Sequence, residues 1–234
     1  MAKKKEKTEE IDIFLKIIRK IEFFFEKNSK WVLISLGVII IILVGFFGTR
    51  YLVLKKEEKA AADFGKVYLV YSNIQSSEDL SEKQKIEELN KIIPDFEYVI
   101  ETHQNTKAAY ESEYFLGHIY FIKGDFEKSL EYFEKASSGK KNFYITILSL
   151  VGKGTCLEEL GKYNEAISLY EMMIKKYKDS YLVPYLEYSI AQIFEKQKKF
   201  EAAQERYTKL IEKYGWSSWS QFADKKLILI KSFI

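Results

Sequence analysis

The residues of this chain with the most chemistry in them are few: two histidines, His103 and His118, one thiol, Cys156, and the adjacent carboxylates Glu158 and Glu159. A catalytic zinc site takes three protein ligands at characteristic spacings, and two isolated histidines with one cysteine do not form that pattern. Glu158-Glu159 reads as a solvated helix face rather than an acid/base pair, and Cys156 as a small buried residue. A single cysteine also rules out an intramolecular disulfide. The chain has no glycine-rich phosphate loop and no nucleophile elbow. No enzyme, metal or cofactor is expected.

The chemistry left is recognition, and its residues recur. Phe126, Tyr163 and Phe200 stand 37 residues apart, as do Ser129, Ala166 and Ala203, and Phe133, Tyr170 and Tyr207. Tyr120, Leu157 and Phe194 keep the same phase, as do Gly117, Gly154 and Ala191. A small residue returns where two helices must touch, and a ring returns where the next unit must pack. A fixed period of 20–50 residues marks a stacked repeat, in which no unit buries its apolar face alone.

The elements that carry these residues read as helices throughout. The composition is 47% hydrophobic and 30% charged with only two prolines, which suits helices with a substantial core. First helices are expected at about 108–122, 143–160 and 183–197, and second helices at about 125–137, 163–177 and 200–214. Gly124 and Gly161 mark first-helix ends that want a left-handed residue, and Lys198 takes the third such place. Before them come helices at about 57–77 and 81–102, with Pro94 allowing a kink. A last helix, about 218–233, carries Phe222, Leu227, Ile228, Ile230 and Phe233 and reads as a cap. Trp216 and Trp219 are expected to pack it down, the alternative being an exposed apolar knob. The apolar end from Leu227 to Ile234 offers the alternative of a homodimer surface.

Net charge is +3 and unevenly placed: residues 1–30 hold nine Lys/Arg against six Asp/Glu, and the remainder holds 28 of each. Without a basic face, no nucleic-acid partner is expected. Trp31–Thr49 is 19 residues without a charge, about 28 Å as a helix, enough for one hydrocarbon core. Trp31 and Tyr51 sit at its ends, where amphipathic rings favour the headgroup layer. Its length, and the Arg50, Lys55 and Lys56 that follow, point to an uncleaved anchor rather than a signal peptide. The excess of Lys/Arg in the tail favours N-terminus inside and C-terminal domain outside. In that tail Ile11, Phe14, Leu15, Ile18 and Phe25 lie close to one stripe, which suits a helix on the inner leaflet, a helix docked on membrane partners, or a plain extension of the anchor.

The repeating residues resemble the tetratricopeptide repeat. Its first-helix signature appears as Leu116-Gly117-x-x-Tyr120, Gly154-x-x-Leu157 and Ala191-x-x-Phe194, and its second as Ser129-x-x-x-Phe133, Ala166-x-x-x-Tyr170 and Ala203-x-x-x-Tyr207. Glu113 and Glu187 depart from the bulky residue usual at the start, Lys153 from the usual Leu, and the period is 37 rather than 34. The resemblance implies an all-α chain: a single transmembrane helix, then a right-handed helical-hairpin solenoid with a C-terminal capping helix. The divisions are a cytoplasmic amphipathic tail (1–30), anchor (31–49), N-terminal hairpin (50–107), three repeats (108–215) and cap (216–234).

With FFFEKNSKWVLISLGVIIIILVGFFGTRYL (residues 23–52) leading into Glu58-Lys59-Ala60-Ala61-Ala62, the layout also resembles the ancillary subunit family of the bacterial SecYEG translocon. That resemblance implies an inner-membrane protein with a periplasmic domain. Its implied partners are the translocon, envelope chaperones or unfolded envelope proteins. A dedicated scaffold for outer-membrane assembly, cell division or motility would show the same layout. In the tetratricopeptide fold first helices line a concave groove. The groove residues this implies are Tyr114, His118 and Phe121, then Val151, Thr155 and Glu158, then Tyr185, Tyr188 and Gln192. The alternative is that several of these rings pack against neighbouring helices.

Overall fold

The computed structural model describes the backbone of residues 2–139 and 143–230, with side chains from residue 15 onward. Every regular element among them is a helix: α1 (Ala2–Ser76), α2 (Glu82–Thr102), α3 (Lys107–Ile122), α4 (Phe126–Ser138), α5 (Phe143–Glu159), α6 (Tyr163–Lys176), α7 (Val183–Lys196), α8 (Phe200–Tyr214) and α9 (Ser218–Ile230). The side chains of Ile11 and Phe14, and Phe233 and Ile234 at the other end, lie outside the described residues. The chain divides into two units, Met1–Lys55 and Lys56–Ile234.

In the first unit the helix is interrupted by non-helical geometry at Asn28 (φ −116°, ψ 18°). An 18-residue window there reaches a mean hydropathy of 2.7 with none of it buried, so this helix is long and apolar enough to cross a membrane. It is the one such helix among the described residues.

The second unit is a solenoid of helical hairpins, each packed on the next. Residues 56–76 of α1 pair with α2, and Tyr71, Ile74, Leu89, Ile92, Ile93 and Phe96 form a core with Leu116 and Ile119 of α3. Polar contacts pin this first hairpin to the turn after α2: Lys56 Nζ donates to Gln104 O at 2.8 Å, Lys107 N to Glu57 at 2.9 Å, and buried His103 Nε2 meets Asp63 Oδ2 at 2.9 Å. Ser81 and Gln84 close a capping box on α2, and Thr106 and Asp125 cap α3 and α4. The helix α2 runs on through Pro94. Pro94 and Asn90 are both exposed, so water can reach the carbonyl that proline leaves without a donor.

The three following hairpins end their first helices alike. Gly124, Gly161 and Lys198 have φ of 78°, 69° and 59°. The next residue's N–H reaches back to the helix: Asp125 to Tyr120 O, Lys162 to Leu157 O and Lys199 to Phe194 O, at 3.0, 2.8 and 2.9 Å. This six-to-one closure satisfies carbonyls the helix would leave open and turns the chain into the second helix of each pair. Small residues let the two helices meet: a Cβ on Gly117 would lie 2.8 Å from the Phe133 ring, and one on Gly154 2.2 Å from Tyr170.

The last helix closes the stack. Ala223 and Ile230 join Tyr188, Ala203, Tyr207 and Leu210 in one core. The two tryptophans at its start part company: Trp219 packs into the cluster, while Trp216 is 73% exposed and meets the Tyr214 ring edge-on. Trp216 therefore does not do the packing expected of both.

Candidate functional site

The first helices α3 and α5 run beside each other, and between them opens a cavity of about 200 Å³. Tyr114, His118 and Phe121 line it from α3. Leu148, Val151, Gly152 and Thr155 line it from α5, and Phe133 of α4 forms its floor. Five of the nine residues expected to line a groove thus share one surface pocket. The spacing explains why: 114, 118 and 121 are successive turns of one helix face, and 151 and 155 are the same positions one repeat later.

The walls are largely apolar. Gly152 gives the Phe133 ring room, since a Cβ there would lie 2.6 Å from it. Tyr114 meets Phe115 edge-on at 5.2 Å and Phe133 at a tilt at 5.7 Å, and Phe121 meets Phe126 edge-on at 5.3 Å. His118 is the polar handle. Its Nδ1 lies 2.8 Å from the Tyr71 hydroxyl. Burial pushes the His118 pKa down and the Tyr71 pKa up, so the contact is a hydrogen bond between a neutral imidazole and a protonated phenol. Thr155 donates its hydroxyl to Val151 O at 3.1 Å.

The tetratricopeptide repeat family matches residues 108–179, the stretch that holds this pocket, and again 185–215. These matched stretches are similar to tetratricopeptide repeats. A TPR repeat-containing protein of Treponema pallidum (strain Nichols) is 24% identical over 112 residues, 48% of this chain and 46% of its own length. The chain thus spans about half the length of that relative. Among solved structures, the nearly identical TPR-like repeats assigned to a kinesin light chain of Podosopora anserina superpose with a TM-score of 0.55 at 10% identity, covering 75% of this chain and 86% of theirs. The apo form of RapI gives 0.51 at 16% identity, over 73% and 46%. Such identities speak for the fold alone.

The remaining four expected residues are engaged inside the repeats. Glu158 accepts from the buried Tyr170 hydroxyl at 2.9 Å and pairs with Lys196 Nζ at 3.1 Å, bracing the second repeat against the third. Tyr185 meets the Trp219 ring at 5.0 Å. Tyr188 is buried among Tyr207, Trp219 and Phe222, and Gln192 donates to its hydroxyl at 3.4 Å. The capping helix thus covers, on the third repeat, the face that stays open between the first two.

Phe133, Leu148 and Gly152 line the pocket but were not among the expected groove residues. A signal for them exists in the repeat phase. Repeats two and three carry Glu158 with Tyr170 and Glu195 with Tyr207, whereas the first repeat carries Phe121 with Phe133 at the same places. Both members change together, and the change removes a polar pair and leaves an apolar wall. Among the described residues no group of three or more His, Cys, Asp or Glu could hold a metal ion.

Proposed function

We propose that this chain is a membrane-anchored protein-interaction module whose binding face is the pocket between the first helices of repeats one and two. The observation that carries this is the open, apolar cavity lined by Phe121, Phe133 and Val151, in a fold whose other exposed first-helix face is covered by its own cap. Stacked helical repeats offer extended surfaces for other proteins. A pocket rimmed by Tyr114 and His118 and floored by a phenylalanine suits one bulky apolar side chain of an extended segment, since aromatic pockets near an interface centre serve as anchors.

The reading extends to place and partner. Trp31–Thr49 serves as the anchor in the inner membrane, the basic tail stays in the cytoplasm, and the repeats face the periplasm. There the module holds or delivers proteins at a secretion or assembly site. Its partners are the translocon, envelope chaperones or unfolded envelope proteins. The layout of residues 23–62 supports this reading. The test is purification of the full-length protein from native membranes in mild detergent, with identification of what accompanies it. Translocon subunits together with envelope proteins are the expected result. One stoichiometric partner without the translocon would replace this reading with that of a dedicated scaffold.

A further inference from the structure

We propose that residues 15–27 lie as an amphipathic helix along the membrane surface, apolar side toward the acyl chains and basic side among anionic lipid headgroups, hinged to the spanning helix at Asn28. The partner of this segment is a lipid surface. The inference rests on the reading of Trp31–Thr49 as the anchor.

The first argument is the distribution of side chains. At ~100° per residue, Leu15, Ile17, Ile18, Ile21, Phe24 and Phe25 fall within one half of the helix circumference. Lys16, Arg19, Lys20, Glu26 and Lys27 occupy the other, with Phe23 the one large apolar residue among them, while Glu22 falls inside the apolar half between Ile18 and Leu15. Leu15, Ile17, Ile21, Phe24 and Phe25 are all exposed. A helix so divided is unsuited to either single solvent. Spanning the bilayer would put its charged side in hydrocarbon, and standing in water would leave six large apolar side chains wet. The interface between the two satisfies both sides at once.

The second argument is the hinge. A straight continuation of the spanning helix would carry this segment along the membrane normal and away from the interface. At Asn28 the backbone leaves helical geometry, and its side-chain Nδ2 donates to Phe24 O at 3.0 Å, supplying a donor to a carbonyl near the break. The break falls three residues before Trp31, where the uncharged stretch begins. A change of direction from in-plane to spanning belongs at that point.

The third argument is charge. Residues 15–27 hold four basic side chains against two acidic ones, and all four basic ones are on the side opposite the apolar arc. Basic side chains at a membrane surface are attracted by anionic headgroups.

The test uses the full-length protein in vesicles of phosphatidylcholine with phosphatidylglycerol. The native Cys156 is buried, so a spin label attaches selectively to an introduced exposed cysteine, with the unsubstituted protein as control. Labels are placed by Ile17→Cys, Ile21→Cys and Phe24→Cys, by Lys16→Cys and Lys20→Cys, and by Ile40→Cys within the span. Collision with oxygen and with a water-soluble nickel complex reports depth. The expected result is a deep label at position 40 and a common shallow depth at 17, 21 and 24. Nickel collision there should be several-fold lower than at 16 and 20, and the difference should shrink in vesicles of phosphatidylcholine alone. A deep label at 40 with positions 17, 21 and 24 as nickel-accessible as 16 and 20 overturns the proposal while leaving the anchor intact; that is the result for a helix that docks on another protein. Burial that is indifferent to phosphatidylglycerol overturns the anionic-lipid assignment. Nickel access at position 40 overturns the anchor and this inference with it.

Discussion

Tyr170 donates its buried hydroxyl to Glu158 at 2.9 Å across the hairpin of the second repeat, and Lys196 of the third repeat completes the carboxylate at 3.1 Å. Tyr207, Glu195 and Lys226 repeat the arrangement one unit on, at 2.8 and 3.1 Å. The first repeat has Phe133 and Phe121 at the tyrosine and glutamate positions. The pair is therefore a unit, present whole or replaced whole.

A double-mutant cycle checks this. Tyr170→Phe is expected to cost about 1 kcal/mol, and Glu158→Phe about 1–3 kcal/mol because it strands the tyrosine hydroxyl. The double variant, which copies the first repeat, should recover part of the loss, with a coupling of about 1–2 kcal/mol in urea unfolding. Strictly additive losses would mean that the two residues stabilise the fold independently.

Lys198 holds the left-handed position that Gly124 and Gly161 hold in the other two repeats. A side chain in that conformation costs roughly 1 kcal/mol. Lys198 is exposed, and the turn is held by backbone bonds from its own N–H to Glu195 O and from Lys199 N to Phe194 O. Lys198→Gly should therefore raise the stability of the repeats by a similar amount, read as a higher urea midpoint with an unchanged slope.

Glu113 lies at a position where the related repeats favour a bulky residue, and its Oε2 is buried without a hydrogen-bond partner. Burial pushes its pKa up to about 7, only partly opposed by Lys135. Because the folded value exceeds the ordinary one of 4.5, the folded state binds more protons between about pH 4.5 and 7. This group's contribution is most favourable below that window and is lost as pH rises through it. Glu113→Gln should stabilise the protein at pH 8 by about 1–2 kcal/mol, discounted for partial exposure, and have little effect below pH 5. Thermal melts of the two proteins from pH 4.5 to 8 measure the difference.

Much of the fold was legible because its period is carried by residues with a single physical task. Gly117 and Gly154 lie where rings need room, and Gly124, Gly161 and Lys198 fall at the turns. The pocket was partly legible, since Tyr114, His118, Phe121, Val151 and Thr155 follow from helix phase alone. Glu158 and Tyr188 occupy the same phase and serve other ends. A buried tyrosine hydroxyl needs an acceptor, and Glu158 serves as one. Tyr188 belongs to the last repeat, where Trp219 and Phe222 of the cap take the space a further unit would have filled. Neither demand shows in the spacing, because each comes from a partner element whose distance the period does not encode.

The central claim is that partners bind between the first helices of repeats one and two. The most direct measurement is photo-crosslinking in living cells with benzoylphenylalanine placed singly at Thr155, in the pocket, or at Ser168, exposed on the second helix of the same repeat. The account predicts crosslinked protein from position 155 and none from 168. Crosslinks from 168 with none from 155 would place binding on the outer helices and contradict it.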